Sequence, residues 1–177
     1  MATVSGGANL ERKMREFARG MSSKSELHVG FLENATYPDG VSVATVAALN
    51  NFGAPGAGIP PRPFFSNLIR DKSAGWAEAG RRLLKLTKYD GDAALSLLGE
   101  RIAGQLREAI VDMNEPANSP VTNLLKQRFP TGEGVEFSDV QKARADVRAG
   151  VSAPPGKVLV WSGNMLQSVD FEVRGAS

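Results

Sequence analysis

The chain has 177 residues, 42% of them hydrophobic, and a formal net charge of +2; a domain of this length buries roughly 70% of its unfolded surface and needs no disulfide or metal to fold. Cysteine is absent, which excludes disulfide frameworks, thiolate zinc sites and cysteine nucleophiles. No apolar run approaches about 18 residues, so no membrane-spanning helix is expected, and a pI near 9.0 is too mild by itself to point to nucleic acid.

Residues 1–8 are Ser/Gly-rich without an apolar core; they read as a flexible N-terminus and not as a signal peptide. Asn9 caps a helix, and Leu10, Met14, Phe17 and Met21 mark its apolar stripe. "ELHVGFLEN" then alternates, with Leu27, Val29 and Phe31 on one face, the pattern of a half-buried strand. "YPDG" (Tyr37–Gly40) is a turn by composition. Ser42 caps a short helix that buries Val43, Val46, Ala47 and Asn50, and Gly53 stops it. A stiff, proline-rich loop follows. Phe65, Leu68, Trp76, Ala79, Leu83 and Leu86 predict a longer helix, "YDGD" breaks it, and Asp92 caps the next. There Leu95, Leu98, Ile102, Leu106 and Ile110 form the cleanest stripe in the chain.

"NEPANSP" ends that helix. From Val121 to Gly156 the periodicity is poor. Pro130, Gly132, Gly134, Gly150, Pro154, Pro155 and Gly156 discourage regular structure, and "SDVQKARADVRAGV" offers only a short polar helix, weakly amphipathic through Val140 and Val147. Val158–Trp161 is strand-like, "SGN" turns, and Val169, Phe171 and Val173 alternate as a second strand. The expected fold is α+β: a small antiparallel or mixed sheet covered by helices. Residues 9–123 and 158–174 form one domain, and 124–157 is an inserted arm or extended loop before a C-terminal hairpin.

The chemistry-bearing residues argue against an enzyme. The lone histidine, His28, falls in a predicted strand, and no Gly-x-Ser-x-Gly elbow or Walker loop is present. Asp90 and Asp92 flank Gly91, but a turn and a helix cap explain them better than a calcium loop. No carboxylates pair as in a glycosidase or cell-wall hydrolase. No catalytic, cofactor-binding or metal-ligating residue is assigned, and no cofactor is expected. Arg81, Arg82, Lys85 and Lys88 fall at helical spacing on a polar face, suited to DNA phosphates or an acidic partner; a solvated helix face explains the same spacing.

Three blocks carry a resemblance. "YPDGVSVATVAALNNFGAPGAGIPPRPFF", "EPANSPVT" (Glu115–Thr122) and "VWSGNMLQSVDFEV" (Val160–Val173) resemble, in this order, recurrent motifs of the tail-component, or virion-morphogenesis, family of tailed bacteriophages. Two departures stand out: the segment 124–157 is longer than the family's usual connection, and Ser162-Gly163 replaces its usual Asp/Thr-Gly. The resemblance implies a non-enzymatic ring-forming subunit of the neck or tail, a tail-terminator, tail-completion or head–tail joining protein, with a minor tail or baseplate-proximal component as the alternative. The implied partners are further copies of the chain in a hexameric ring, neighbouring neck and tail proteins, and non-specific contact with genomic DNA in the channel. The implied location is the virion, assembled in the host bacterial cytoplasm, with no membrane. A different class, a small nucleic-acid-binding protein, rests on Arg81, Arg82, Lys85 and Lys88. In the assembly reading Pro61, Arg62, Pro63 and Phe64 form a stiffened interface loop that presents the Arg62 guanidinium, with Phe64 and Phe65 able to anchor one end in the core, and Phe129 and Phe137 anchor the arm on a neighbouring subunit.

Overall fold

Alternation along Ser25–Phe31 makes β1, and it pairs antiparallel with β2, Val169–Gly175. Leu27 lies opposite Val173, Val29 opposite Phe171 and Phe31 opposite Val169, so the apolar positions of both strands share one face. The computed structural model describes residues 12, 15 and 25–175. Arg12 and Arg15 are helical; the expected flexible segment 1–8 and the stripe Leu10, Met14, Phe17 and Met21 lie outside the described residues.

Between the strands run six helices: α1 (Val43–Phe52), α2 (Phe64–Leu86), α3 (Gly91–Asp112), α4 (Pro120–Arg128), α5 (Phe137–Arg148) and the single turn α6 (Asn164–Gln167). The fold is α+β, a two-stranded antiparallel sheet covered by helices. The strand pair lies against α3, which also packs against α2. Leu106 and Ile110 of α3, Phe64 of α2, Val43 of α1 and Val169 of β2 are wholly buried at the centre. Each such side chain contributes about 1.5–3 kcal/mol of burial. Gly99 sets how closely α3 meets the sheet. A Cβ there would collide with the Phe171 ring and stand 2.8 Å from Leu27 Cδ1, so only glycine fits without a shift.

Several local signals act one or two residues from where the pattern put them. Asp90, not Asp92, caps α3 by accepting from the Ala93 N–H at 3.0 Å. Asn51, not Asn50, is the buried polar residue of α1. Leu86 is 73% exposed, so the apolar stripe of α2 ends before it.

Two larger expectations are corrected. Val158–Trp161 is not a strand and forms no hairpin with the last one; β2 takes β1 as its partner instead. The apolar run exists because Val158 and Leu159 enter the core in irregular backbone. Its carbonyls are served by side chains in place of a ladder. Asn118 Nδ2 donates to Val158 O (3.3 Å), and Lys126 Nζ donates to the carbonyls of Lys157, Val158 and Val160 (2.7, 3.2 and 2.8 Å).

The second correction concerns 124–157, which holds most of α4 and all of α5 where an extended arm was expected. Leu124 and Leu125 of α4 meet Ala143 of α5, with Val121, Phe129, Val140 and Val147 around them. Those spacings of three, four and seven are helical. They were hidden because the apolar residues are few and the glycines and prolines cluster in the connecting loops. Arg128 and Asp146 tie the two helices at 2.6 Å. Trp161 Nε1 donates to Phe129 O at 2.6 Å, linking this small core to the body.

Candidate functional site

Gly53 leaves α1 at φ 78°, with Pro61 N 2.8 Å from where its Cβ would stand. Glycine therefore meets both the backbone angle and the close approach of the returning loop. Pro63 at the start of α2 has no side chain to cap it. Asn51 does so from the preceding helix: its Oδ1 accepts from the Phe65 and Ser66 N–H groups (3.0 and 3.1 Å), and its Nδ2 donates to Ser66 Oγ (2.7 Å). The stretch "NFGAPGAGIPPRPFF" is thus folded onto itself.

That geometry corrects the expectation for Arg62. It is not presented on the surface: its residual exposure is 8%. Its Nε donates to Pro116 O (3.0 Å) and its Nη2 to Asn118 Oδ1 (3.2 Å). Asn118 passes the connection on to Val158 O. The loop before α2, the "EPANSP" segment and the chain entering α6 are therefore held by one polar hub. Burial lowers the Arg62 pKa. Burial, then the neighbouring Arg62 charge, pulls the Lys126 pKa down to about 8.

The hub opens on a cleft of about 1580 Å³ between the body and the α4–α5 pair. Tyr37, Ile59, Trp161 and Met165 give it apolar walls, and Arg62 and Lys126 line its floor. Asp39, Glu133 and Glu136 line it too. The "YPDG" turn closes through Gly40 N–H to Tyr37 O (2.9 Å) and holds Tyr37 at the edge. Burial, then Asp39, raises the Tyr37 pKa.

The sequence-assigned residues divide. Pro61 is exposed and Pro63 half-buried, whereas Phe64, at 1% exposure, anchors the loop in the core as expected and is not available as an interface residue. Phe129 is half-buried in the α4–α5 core, so it does not anchor an arm; Phe137 is 71% exposed. Arg81, Arg82, Lys85 and Lys88 are all exposed in or just past the last turns of α2. Arg82 pairs with Glu78 at 3.4 Å, and Lys88 sits at φ 54° beyond the helix end. His28 is exposed on β1, 3.5 Å from Glu26. Sequence reasoning missed Asn51, Asn118, Lys126 and Trp161. Only Asn51, two residues before the Gly/Pro run that starts at Gly53, carried a local signal.

Among the described residues no group of three His, Asp or Glu side chains is placed to hold a metal ion, and no helix is long and apolar enough to cross a membrane. Comparison with protein-family models, curated proteins and solved structures returns no match.

Proposed function

We propose that this protein is a non-enzymatic structural subunit of a tailed-phage virion, a ring-forming component of the neck or tail end that joins or completes the tail. One observation supports this reading above the others. Two of the three blocks that resemble the virion-morphogenesis motifs lie far apart in sequence, yet they meet in one polar hub that reaches the chain just before the third. Arg62 from the first binds Pro116 and Asn118 of the second, and Asn118 binds the carbonyl of Val158 at the entry to the third. Motifs that meet in space have a physical reason to occur together, which strengthens the resemblance. In the ring the exposed Arg81, Arg82, Lys85 and Lys88 face the DNA channel, and the ring order is six.

The test is assembly. Deleting the gene from a phage that carries it should leave heads and tails that do not join, or tails that are not completed, and supplying the protein should restore whole particles. Normal, infectious particles without the protein would overturn the proposal. The nucleic-acid-binding alternative predicts instead that the free protein binds DNA with an affinity falling steeply with salt.

A further inference from the structure

Arg62 and Lys126 are two neighbouring cations that line the cleft, and among the described residues neither is paired with a carboxylate. Arg62 bonds a carbonyl and an amide oxygen; Lys126 bonds three carbonyls. Burial lowers the pKa of Arg62, and burial, then the Arg62 charge, lowers that of Lys126. A buried and a half-buried like charge without a counterion are unfavourable, and their natural complement is an anion. Lys126 has spent its three donors. Arg62 has not: its Nε and Nη2 are bonded from one side, and its Nη1 makes neither of those bonds. Among the described residues the buried side-chain polar atom without a partner is Asn123 Oδ1, so Nη1 keeps some contact with solvent, and Arg62 lines the cleft.

We propose that the cleft binds an extended peptide segment of a partner protein through one carboxylate, held by the free edge of Arg62 in the field of the Lys126 ammonium. The volume exceeds the 300–1,000 Å³ or so of a small-molecule pocket and suits a stretch of chain. Tyr37, Ile59, Trp161 and Met165 supply contact for flanking side chains. The charge pattern selects peptide over nucleic acid. Asp39, Glu133 and Glu136 line the same cleft as Arg62 and Lys126, so a continuous run of phosphates would meet three acids beside the two bases. A peptide with an acid flanked by bases complements both. The titratable groups that line the cleft together with Lys126 are Arg62, Tyr37 and these three acids. This inference concerns the chemistry of the cleft and holds for any partner chain, whether or not that partner belongs to a virion.

The probes are acetyl-Lys-Ala-Glu-Ala-Lys-amide, its Gln counterpart and a thymidine oligomer of about eight nucleotides, titrated calorimetrically into the full chain at low salt. The Glu peptide should bind at least about tenfold more tightly than the Gln peptide, because a charge-assisted fork is lost in the latter. A bound carboxylate favours protonated Lys126, so its titration should move up from about 8. Binding near pH 8.5 should therefore take up protons, seen as a buffer-dependent heat and by NMR of the lysine side chain. Arg62→Lys should keep the charge and lose the preference for Glu over Gln; if that variant does not fold, the Lys126 titration of the unaltered protein decides. Equal affinities for the two peptides, no binding of the Glu peptide, an unmoved Lys126 titration, or binding of the oligomer alone would each overturn the proposal.

Discussion

Arg62→Ala is the substitution on which sequence and structure disagree most. A residue between two prolines in a surface loop predicts unchanged stability on truncation. The structure predicts a loss. The variant removes the bonds to Pro116 O (3.0 Å) and Asn118 Oδ1 (3.2 Å), and leaves both acceptors without those donors. A hydrogen bond from a charged group contributes about 1.5–3 kcal/mol. Against this, removing the guanidinium relieves its own burial and its repulsion of Lys126. The net loss is then about 2–4 kcal/mol. For a chain of this size each kcal/mol lowers Tm by about 2–4 °C, so Tm should fall by roughly 4–16 °C. Thermal unfolding followed by far-ultraviolet circular dichroism measures it, and a urea series with unchanged m confirms that the native state is affected. Asn118→Ala should be partly non-additive with Arg62→Ala, by at least about 0.5 kcal/mol, because both break one chain of bonds. A Tm within about 1 °C of the original protein, or full additivity, would refute the hub.

Other substitutions test other joints. Gly99→Ala gains about 1 kcal/mol of helix propensity but drives a methyl into Phe171 and Leu27; overpacking of about 1–3 kcal/mol should win, with faster amide exchange along both strands. Trp161→Phe removes the bond to Phe129 O and should cost about 1 kcal/mol, with faster hydrogen exchange concentrated in α4 and α5. Lys126 makes stability depend on alkaline pH. Its folded pKa, about 8, lies below the ordinary lysine value of 10.5, so between those values the unfolded chain binds more protons and stability rises with pH. Urea midpoints from pH 7 to 10 should show that rise, and Lys126→Met should lack it. Trypsin should cut poorly at Lys142, Arg144 and Arg148, because these lie within α5; rapid cleavage there in the free protein would restore the extended-arm reading.

The parts of this fold legible in the sequence are those whose signal is local and repeated. α3 declared itself through Ile102, Leu106 and Ile110, and β1 and β2 through alternation, because a single face of each is buried. Strand pairing was not legible. The register of β1 with β2 joins residues about 140 positions apart, and no periodicity states which strand a strand will choose. The run Val158–Val160 shows the same limit from the other side: β-branched residues promised a strand, but core burial and the side chains of Asn118 and Lys126 satisfied the backbone without one. In 124–157 breaker residues outweighed a sparse stripe, and α4 and α5 stand because Leu124, Leu125 and Ala143 bury one another. The candidate site was half legible. The motif blocks were found, but the inward turn of Arg62 depends on Pro116 and Asn118, more than fifty residues away. A tertiary partner of that kind leaves no mark beside the residue it buries.

The most direct test of the proposed function is cryo-electron microscopy of complete virions assembled with this protein. The account predicts a sixfold ring of this α+β fold at the head–tail joint or tail end, with α2 turned so that Arg81, Arg82, Lys85 and Lys88 face the channel. Particles that lack the protein, or that carry it outside the neck and tail or in no ring, would contradict it.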